Sequence, residues 1–181
     1  MRKTTGLGAN IGYHLMVLTY RLQDLFVKPD AILHKFGIKK GDTVVDFGCG
    51  PGRYLRTAAA LVGESGRVYA VDIHPTAIRI VAKIAAKHKL DNVIPVLLAG
   101  GKTKIEEGSA DLVYALDMFH QVTEPGPFLA EVRRIVKDNG RFILEDGHQG
   151  RKTTRKKLSV SDLWEIESEN ERYVTLRPVK N

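Results

Sequence analysis

Three glycines on alternate positions, Gly48, Gly50 and Gly52, lie in the stretch VVDFGCGPGRYL between an apolar strand and the start of a helix. A turn this tight needs backbone without Cβ atoms, and it brings backbone N–H groups close to a ligand. The pattern therefore predicts a nucleotide-like ligand. The dinucleotide-binding fingerprint has its third glycine five residues after the first, where this sequence has Arg53, so that fingerprint is not matched.

Two aspartates indicate the charge of this ligand. Asp46 ends the first strand, and a carboxylate there would repel a pyrophosphate but would favour a cationic group. Asp72 ends the second strand, 24 residues after Gly48, where a carboxylate can accept hydrogen bonds from both hydroxyls of a ribose. Together they predict a nucleoside that carries positive charge rather than phosphate.

Short apolar runs alternate with amphipathic helices from residue 43 onward, and this alternation positions the glycines and aspartates. Strands are predicted over TVVDF, RVYAVD, NVIPVLL, ADLVYAL and GRFILED, with helices between them. This alternation of strands and helices predicts an α/β fold with a doubly wound, mostly parallel sheet. Because crossover connections between parallel strands are right-handed, we expect helices on both faces of the sheet. DLWEIES and RYVTLRP add a C-terminal antiparallel hairpin. Ligands of such sheets bind at the carboxyl ends of the strands.

The N-terminal part is predicted to be helical. Residues 10–28 carry apolar side chains at three- and four-residue spacing, which places them on one helical face: Leu15, Leu18, Leu22, Leu25 and Phe26. Pro29 ends this helix. A short second helix is expected over DAILHKF, with Asp30 as its N-cap and Gly37 just past its end.

Composition sets further bounds. The 181 residues favour one domain, and no run of 18 apolar residues is present, so we expect a cytoplasmic protein without a membrane span. The single cysteine, Cys49, can form neither an internal disulfide nor a thiolate metal site. The net charge of +7 leaves an anionic partner such as RNA open, although the basic run RKTTRKK is typical of a solvated helix face.

Four blocks in order, VVDFGCGPG, VYAVDIHP, ADLVYALDMFHQV and VKDNGRFIL, resemble the class I S-adenosylmethionine-dependent methyltransferases. The resemblance covers roughly residues 35–146 and looks closest to the type 11 branch, near quinone-biosynthesis methyltransferases. It implies a Rossmann-like seven-stranded sheet and an enzyme that uses S-adenosylmethionine. It also implies one methyltransferase domain over residues 1–181, with a helical lid at 1–40 and a cofactor-binding sheet at 41–181.

The resemblance also assigns cofactor contacts to the ends of the strands. Gly48 and Gly50 would lie against the aminoacyl portion, and Asp46 would meet its ammonium group through water. Asp72 would hold the ribose and Ile73 would pack on the adenine. The remaining expected contacts are Cys49 and Gly52 in the loop, and Leu116 and Asp117 beside the methionine moiety.

One loop departs from the family pattern. Family members usually carry an acidic residue after the third strand to meet the adenine amine, but this loop reads AGGKTKIEEG. Either the backbone groups of Gly100 and Gly101 take over that contact, or the adenine is held less selectively.

Methyl transfer to a neutral nucleophile benefits from a general base at the ends of the fourth and fifth strands. His120 in DMFHQV is the first candidate by location and His148 in EDGHQG is the second, although loop histidines are commonly only solvated. No carboxylate cluster indicates a Mg²⁺ site, and no metal site is predicted. Tyr13, His14 and Tyr20 are expected either to cap the acceptor or to belong to the core.

The range of possible acceptors is narrowed by a motif that the sequence lacks. Strand four ends in ALDMFH and lacks the NPPY or DPPY stretch that grips a flipped base, so adenine N-methylation is disfavoured. A small-molecule acceptor is favoured. Three alternatives remain: an RNA or protein methyltransferase, a module that binds the cofactor without catalysis, and an NAD-dependent dehydrogenase.

Overall fold

The computed structural model describes residues 29–180. The helix predicted over residues 10–28, and with it Tyr13, His14 and Tyr20, lies outside the described residues. The same holds for the side chain of Asp30, the expected N-cap. Among the helices that are described, none is long and apolar enough to cross a membrane.

The described chain alternates strands and helices as the sequence pattern predicts. The strands are β1 Thr43–Phe47, β2 Arg67–Asp72, β3 Val93–Leu97, β4 Ala110–Ala115, β5 Val136–Glu145, β6 Trp164–Glu169 and β7 Tyr173–Pro178. The α-helices are α1 Leu55–Val62, α2 Pro75–His88, α3 Pro125–Ile135 and α4 Arg151–Leu158. Two 3₁₀ helices cover Pro29–Lys35 and Phe119–Gln121.

All seven strands form one sheet in the order β3-β2-β1-β4-β5-β7-β6. Strands β1 to β5 pair in parallel, and β7 pairs antiparallel with both β5 and β6. From β1 the strands β2 and β3 are added on one side and β4 and β5 on the other, so the order of the strands reverses between β1 and β4. A cleft forms at such a point, at the carboxyl ends of the strands. The predicted Rossmann-like fold with its C-terminal hairpin is therefore confirmed.

The alternating side chains of the strands build a core on each face of the sheet. One face packs the first 3₁₀ helix, α1 and α2 against β1 and β4, and its members include Phe36, Leu55 and Tyr114. The other face packs α3 and α4 against β4 and β5, and its members include Leu129 and Phe142. Trp164 closes this second core and donates a hydrogen bond from Nε1 to the carbonyl of Leu129.

Two elements differ from the sequence-based prediction. Strand β5 begins at Val136, directly after α3, and the register with β4 shifts between Ala110 and Leu112. Gly140 permits this irregularity, because a Cβ atom there would lie 2.8 Å from Val136 Cγ2 and 2.9 Å from the Ala110 carbonyl. The short N-terminal helix is a 3₁₀ helix, and Gly37 follows it with φ of 64° as expected.

Candidate functional site

The glycine loop between β1 and α1 is fastened to the neighbouring strand β2. The backbone N–H groups of Gly48 and Cys49 both donate to the carbonyl of Val71, at 2.8 and 2.9 Å. Gly48, Gly50 and Gly52 adopt φ values of 84°, 50° and 81°, which residues with a Cβ rarely adopt. The local conformation therefore requires these glycines.

The three glycines differ in what surrounds them. A Cβ atom at Gly48 would lie 2.8 Å from Met118 Cγ, and one at Gly52 would lie 3.3 Å from Val81 Cγ2. A Cβ atom at Gly50 would meet nothing within 4 Å among the described residues. Gly50 is thus the position where the backbone faces open space and a ligand can approach, whereas Gly52 allows the loop to pack on α2.

Asp72 holds the glycine loop in place from the end of β2. Its Oδ2 accepts a hydrogen bond from the Gly50 N–H at 2.9 Å, and its Oδ1 accepts one from the His74 N–H at 2.8 Å. Each carboxylate oxygen retains a further lone pair, so the group can still accept from ribose hydroxyls. Ile73, the expected adenine contact, is 47% exposed beside it and offers an apolar surface.

Asp46 lies behind the loop, and only 1% of the residue is exposed. Its Oδ2 and the Tyr114 hydroxyl on β4 both lack a hydrogen-bond partner within the described part of the chain. Burial raises the pKa of Asp46 to about 7, the nearby Tyr114 hydroxyl lowers it, and the charge of Asp72 raises it. A buried carboxyl without a partner is costly, and a cationic ligand would stabilise its ionised form.

Cys49 does not act as a nucleophile in this setting. The residue is 4% exposed, and its thiol lies 3.7 Å from the carbonyl of Gly50. Burial, together with the charges of Asp46 and Asp72, raises the pKa of the Cys49 thiol well above its usual range. Because the thiolate is the reactive form, burial and the raised pKa disfavour a nucleophilic role for Cys49.

The loop after β3 is held by a buried network. Glu131 of α3 accepts hydrogen bonds from the Thr103 N–H and hydroxyl, both at 2.7 Å, and pairs with Arg134 at 2.8 Å. Burial opposes the charge of Glu131, but the hydrogen bonds from Arg134 and Thr103 outweigh it and lower its pKa. Gly100 and Gly101 lie in a tight turn of this loop with φ of 69° and 81°, open on the side where a Cβ would be.

The segment after β4 turns sharply at Asp117. Leu116 is 5% exposed, and Asp117 has φ of 51°, an uncommon conformation for a residue with a Cβ. The Asp117 N–H donates to Glu145 Oε2 at 3.1 Å, and Arg172, just before β7, donates to the other oxygen of Glu145 at 2.7 Å. This chain of contacts fixes Asp117 at the end of the sheet.

The structure brings the two candidate histidines together around Asp117. Asp117 Oδ1 lies 4.0 Å from His120 Nδ1 and 3.7 Å from His148 Nε2. The two imidazole rings meet edge to face, with centroids 4.9 Å apart. The side chain of His120 is 19% exposed and that of His148 is 80% exposed, so His148 lies on the solvent side.

His120 is set into its position by neighbouring elements. Its ring packs against Gly147, where a Cβ atom would lie 2.2 Å from Nδ1. The Lys157 ammonium of α4 donates to the carbonyls of Phe119 and His120, at 2.9 and 3.3 Å. Burial lowers the pKa of His120, Asp117 raises it, and His148 and Lys157 lower it further.

Helix α4 contains the basic run and lies next to this cluster. Arg151 binds Asp146 through Nε at 2.9 Å and the Asn170 carbonyl at 3.0 Å, and Arg155 pairs with Glu169. Lys152 and Lys156 are exposed. Part of the basic run therefore fastens the helix to the hairpin, and part of it is a solvated face.

Two open cavities in the described part of the chain lie away from the strand-end cleft. One of about 490 Å³ lies at the amino ends of the strands and is lined by residues such as Arg133 and Lys137. The other, of about 830 Å³, lies between α4 and β6 and is lined by residues such as Leu158 and Ile166. Neither includes a residue of the glycine loop or of the histidine cluster.

The fold and the glycine loop at its switch point define a class I S-adenosylmethionine-dependent methyltransferase architecture. Residues 38–176 match the sequence profile of a methyltransferase domain, and the chain belongs to this family. The cofactor of the family, S-adenosylmethionine, fits these residues, because Gly50 is open and Oδ2 of the buried Asp46 has no hydrogen-bond partner among residues 29–180. The finer placement near quinone-biosynthesis enzymes stays a prediction.

The chain is also similar to individual methyltransferases, both in structure and in sequence. A solved S-adenosylmethionine-dependent methyltransferase from Aquifex aeolicus superposes with a TM-score of 0.74 at 25% identity, covering 83% of this chain and 89% of that one. A Saccharolobus solfataricus protein named "probable cobalt-precorrin-6B C(15)-methyltransferase (decarboxylating)" is 47% identical over 38% of this chain and 34% of its own length. A fibrillarin-like rRNA/tRNA 2'-O-methyltransferase from Thermococcus onnurineus is 31% identical over 65% of this chain and 48% of its own. The chain spans less than half the length of these curated relatives.

Sequence reasoning missed several residues that shape the site. In the sequence, Tyr114 was interpreted only as an apolar position of a strand. In the structure its hydroxyl lies near Asp46. Glu145 and Lys157 hold Asp117 and the His120 turn by backbone hydrogen bonds. The two acidic residues that end GRFILED, Glu145 and Asp146, were the one available signal for Glu145. Nothing in the sequence signalled Lys157, because it lies within a basic run.

Proposed function

We propose that this chain transfers the methyl group of S-adenosylmethionine to an acceptor bound at the carboxyl ends of β4 and β5. One observation carries the proposal. Within the described part of the chain, a buried Asp46 oxygen without a hydrogen-bond partner lies behind a glycine loop that is open at Gly50. An anionic group in that position favours a ligand with a cationic centre over a pyrophosphate, which supports the sulfonium cofactor over NAD.

Residues at the carboxyl ends of the strands contact different parts of the cofactor. Asp72 accepts hydrogen bonds from the ribose while it keeps Gly50 in place. Ile73 packs on the adenine, and the open backbone of Gly100 and Gly101 meets its edge. Further contacts come from Gly48 and Cys49 near the aminoacyl portion, Gly52 behind the loop, and Leu116 and Asp117 beside the methionine moiety.

The bound cofactor supplies an electrophilic methyl group on a sulfonium, which a nucleophile displaces in line. Positioning of the acceptor therefore provides much of the rate enhancement. The cluster around Asp117 lies where an acceptor proton has to be removed, and we assign this task to His120, with His148 as the second candidate. Burial keeps the pKa of His120 low, so its imidazole is neutral at neutral pH and able to accept a proton.

The acceptor is proposed to be a small organic molecule and the protein to work in the cytoplasm. A second candidate, an RNA acceptor, is supported by the exposed Lys152 and Lys156 on α4 and by the rRNA/tRNA relative. A salt titration separates the two, because RNA affinity falls steeply as salt is added. A cofactor-binding module without catalysis would show cofactor binding and no methyl transfer to any acceptor.

Cofactor choice is tested by thermal unfolding with S-adenosylmethionine, S-adenosylhomocysteine or NAD. A ligand at 100 times its Kd adds about 2.7 kcal/mol to stability, so the first two should raise the Tm clearly. Asp72→Ala should weaken this binding by about 1 to 3 kcal/mol through lost hydrogen bonds. The exposed Asp91→Asn is the matched control. A Tm shift with NAD alone, or full affinity in Asp72→Ala, would contradict the assignment.

Methyl transfer itself is tested by incubating the protein with labelled S-adenosylmethionine and fractionated metabolite or RNA extracts. We expect label to appear in a small-molecule fraction. Label in the RNA fraction would favour the second candidate, and cofactor binding without label in any fraction would favour the binding module.

A further inference from the structure

Three side chains that can bind metal ions converge beside the proposed acceptor position: Asp117, His120 and His148. We propose that they bind one divalent transition metal ion of the zinc class. One oxygen of Asp117 and one nitrogen of each histidine lie within 4.8 Å of one another. The sequence-based prediction gave Asp117 a cofactor contact and made His120 and His148 alternative general bases, and only the fold brings the three together.

The separations are close to those of a metal site. Bonds of about 2.1 Å at a tetrahedral ion place the ligand atoms about 3.4 Å apart. The carboxylate oxygen lies 3.7 Å from His148 Nε2 and 4.0 Å from His120 Nδ1. The two distances therefore have to shorten by about 0.3 and 0.6 Å on metal binding.

One rearrangement is needed before His120 can bind a metal ion through Nδ1. A Cβ atom at Gly147 would lie 2.2 Å from His120 Nδ1, on the outer side of this nitrogen. The backbone of Gly147 therefore takes up the space that a metal ion bound to Nδ1 would need. The ring has to turn about its Cβ–Cγ bond, away from Gly147 and towards Asp117. Nδ1 gives up no hydrogen bond when it turns, because it has none within residues 29–180.

The backbone around the three ligands is held by other contacts. Glu145 accepts from the Asp117 N–H, and Lys157 donates to the carbonyls of Phe119 and His120. The loop that carries His148 is closed by the Arg151–Asp146 pair. Contacts that orient the ligands commonly raise metal affinity, since less ordering is left to be done on binding.

The donor set indicates the kind of ion. Two imidazoles with one carboxylate suit Zn²⁺, Co²⁺, Ni²⁺ or Fe²⁺, whereas Mg²⁺ and Ca²⁺ prefer oxygen ligands alone. With three protein ligands, at least one coordination position of the metal ion stays open for another molecule. His148 is 80% exposed, so the open side of the site faces away from the core, where an acceptor can enter.

This site would define the acceptor class, and this step rests on the proposed function. A metal ion binds an acceptor hydroxyl or phenol through oxygen and lowers its pKa, so the proton passes to solvent. The oxygen lone pair then forms the bond to the methyl carbon while the carbon–sulfur bond breaks and sulfur keeps its electron pair. The products are a methyl ether and a neutral thioether. His120 would then act as a ligand instead of a base.

Metal binding is tested on the untagged full chain after treatment with a chelator. Calorimetry with Zn²⁺ and visible absorption with Co²⁺ should show one ion per chain. His148→Ala should weaken binding by about tenfold or more, and Asp117→Asn and His120→Ala should do the same. His88→Ala, an exposed histidine on α2, should bind as the unchanged protein does.

The result that overturns the proposal is equal Zn²⁺ affinity in the unchanged protein, in His148→Ala and in His120→Ala. Far-UV circular dichroism checks that each variant is folded. The side chain of His148 is 80% exposed, so we expect its removal to leave the core intact. The Tm shift with S-adenosylhomocysteine is recorded on the same samples. Absence of that shift in the unchanged protein would contradict the proposed function. Absence of Zn²⁺ binding by the unchanged protein, with that shift present, would contradict only the metal site and leave His120 as the base.

Discussion

Asp46 is the residue whose protonation we expect to link the stability of the free protein to pH. Burial raises its pKa from 3.8 to about 7, so the folded state binds a proton more tightly than the unfolded state. The stability from this proton is fully present below the unfolded pKa and is lost as pH rises through 7. The loss approaches an upper limit of about 4 kcal/mol, at 1.36 kcal/mol for each unit of pKa.

Urea unfolding across this pH range measures the effect. The stability of Asp46→Asn relative to the unchanged protein should increase from about pH 4 to pH 8, because the variant has no carboxyl to ionise. The exposed Asp91→Asn should show the pH profile of the unchanged protein. Parallel profiles for the unchanged protein and Asp46→Asn would show that Asp46 titrates normally.

The Tyr114 hydroxyl is expected to set the pH at which the cofactor binds best. A cationic cofactor favours the ionised form of Asp46, so its affinity should rise by at most about tenfold per pH unit between about pH 5.5 and 7. The Tyr114 hydroxyl lowers the pKa of Asp46, against the rise caused mainly by burial. Tyr114→Phe should therefore move the midpoint of this rise to higher pH.

Among residues 29–180, the titratable groups that interact with Asp46 are Asp72 of β2, Cys49 of the loop, Tyr54 and Tyr114. All are acids, and those other than Asp72 carry pKa values raised mainly by burial, so they stay neutral in this range. Calorimetry with S-adenosylhomocysteine at several pH values gives the midpoint. An unshifted midpoint in Tyr114→Phe would remove the hydroxyl from this role, and Asp46→Asn should show no rise.

At the scale of elements, the sequence was most informative where apolar runs and turn residues coincide. TVVDF and RVYAVD become β1 and β2 with the predicted bounds, because both are buried strands bordered by turn residues. Gly140 was read as the start of β5, but it lies within the strand at a register shift. Such a shift depends on the pairing with β4, which sequence periodicity does not contain.

The candidate site was predictable only in part for the same reason. Asp46, Asp72 and the glycines follow strands directly, so their positions can be read from the order of the elements. The approach of His148 to Asp117 depends on the loop after β5, and the Tyr114 hydroxyl near Asp46 depends on the register of two strands. These contacts arise from tertiary structure and leave no local sequence signal.

The attachment of the β3 loop to α3 yields a prediction about one buried carboxylate. Glu131→Ala leaves the Thr103 groups and Arg134 without their partner and should lower the free energy of unfolding by about 2 to 3 kcal/mol. It should also weaken S-adenosylhomocysteine binding, because Gly100 and Gly101 lie in the loop that Glu131 holds. Urea unfolding and calorimetry measure the two effects.

The matched control is Glu165→Ala, an exposed glutamate on β6, which should change neither quantity. A Glu131→Ala variant that is destabilised but binds with unchanged affinity would separate the loop from the cofactor site. Unchanged stability would show that the network contributes nothing to folding.

At the scale of the whole molecule, the structure divides the proposed lid of residues 1–40 into two parts. The second part, from residue 29 on, contributes three side chains to the core, because Ile32, Leu33 and Phe36 are at most 5% exposed. Phe36 packs edge to face on Tyr173 with ring centroids 5.3 Å apart, and Arg141 donates to its carbonyl at 2.6 Å. A lid role therefore remains a proposal for the residues that precede this segment.

Two deletions test this division in the last prediction. Removal of residues 1–36 takes away three buried apolar side chains, each worth about 1.5 to 3 kcal/mol, which approaches the whole stability of a typical domain and should unfold it. Removal of residues 1–12 should leave folding and S-adenosylhomocysteine binding unchanged but abolish methyl transfer, because an open site admits water around the nucleophile. Circular dichroism, calorimetry and label incorporation report the three properties separately. Full methyl transfer after deletion of residues 1–12 would exclude that segment from the lid, and a stable fold after deletion of residues 1–36 would show that the Phe36 contacts are dispensable.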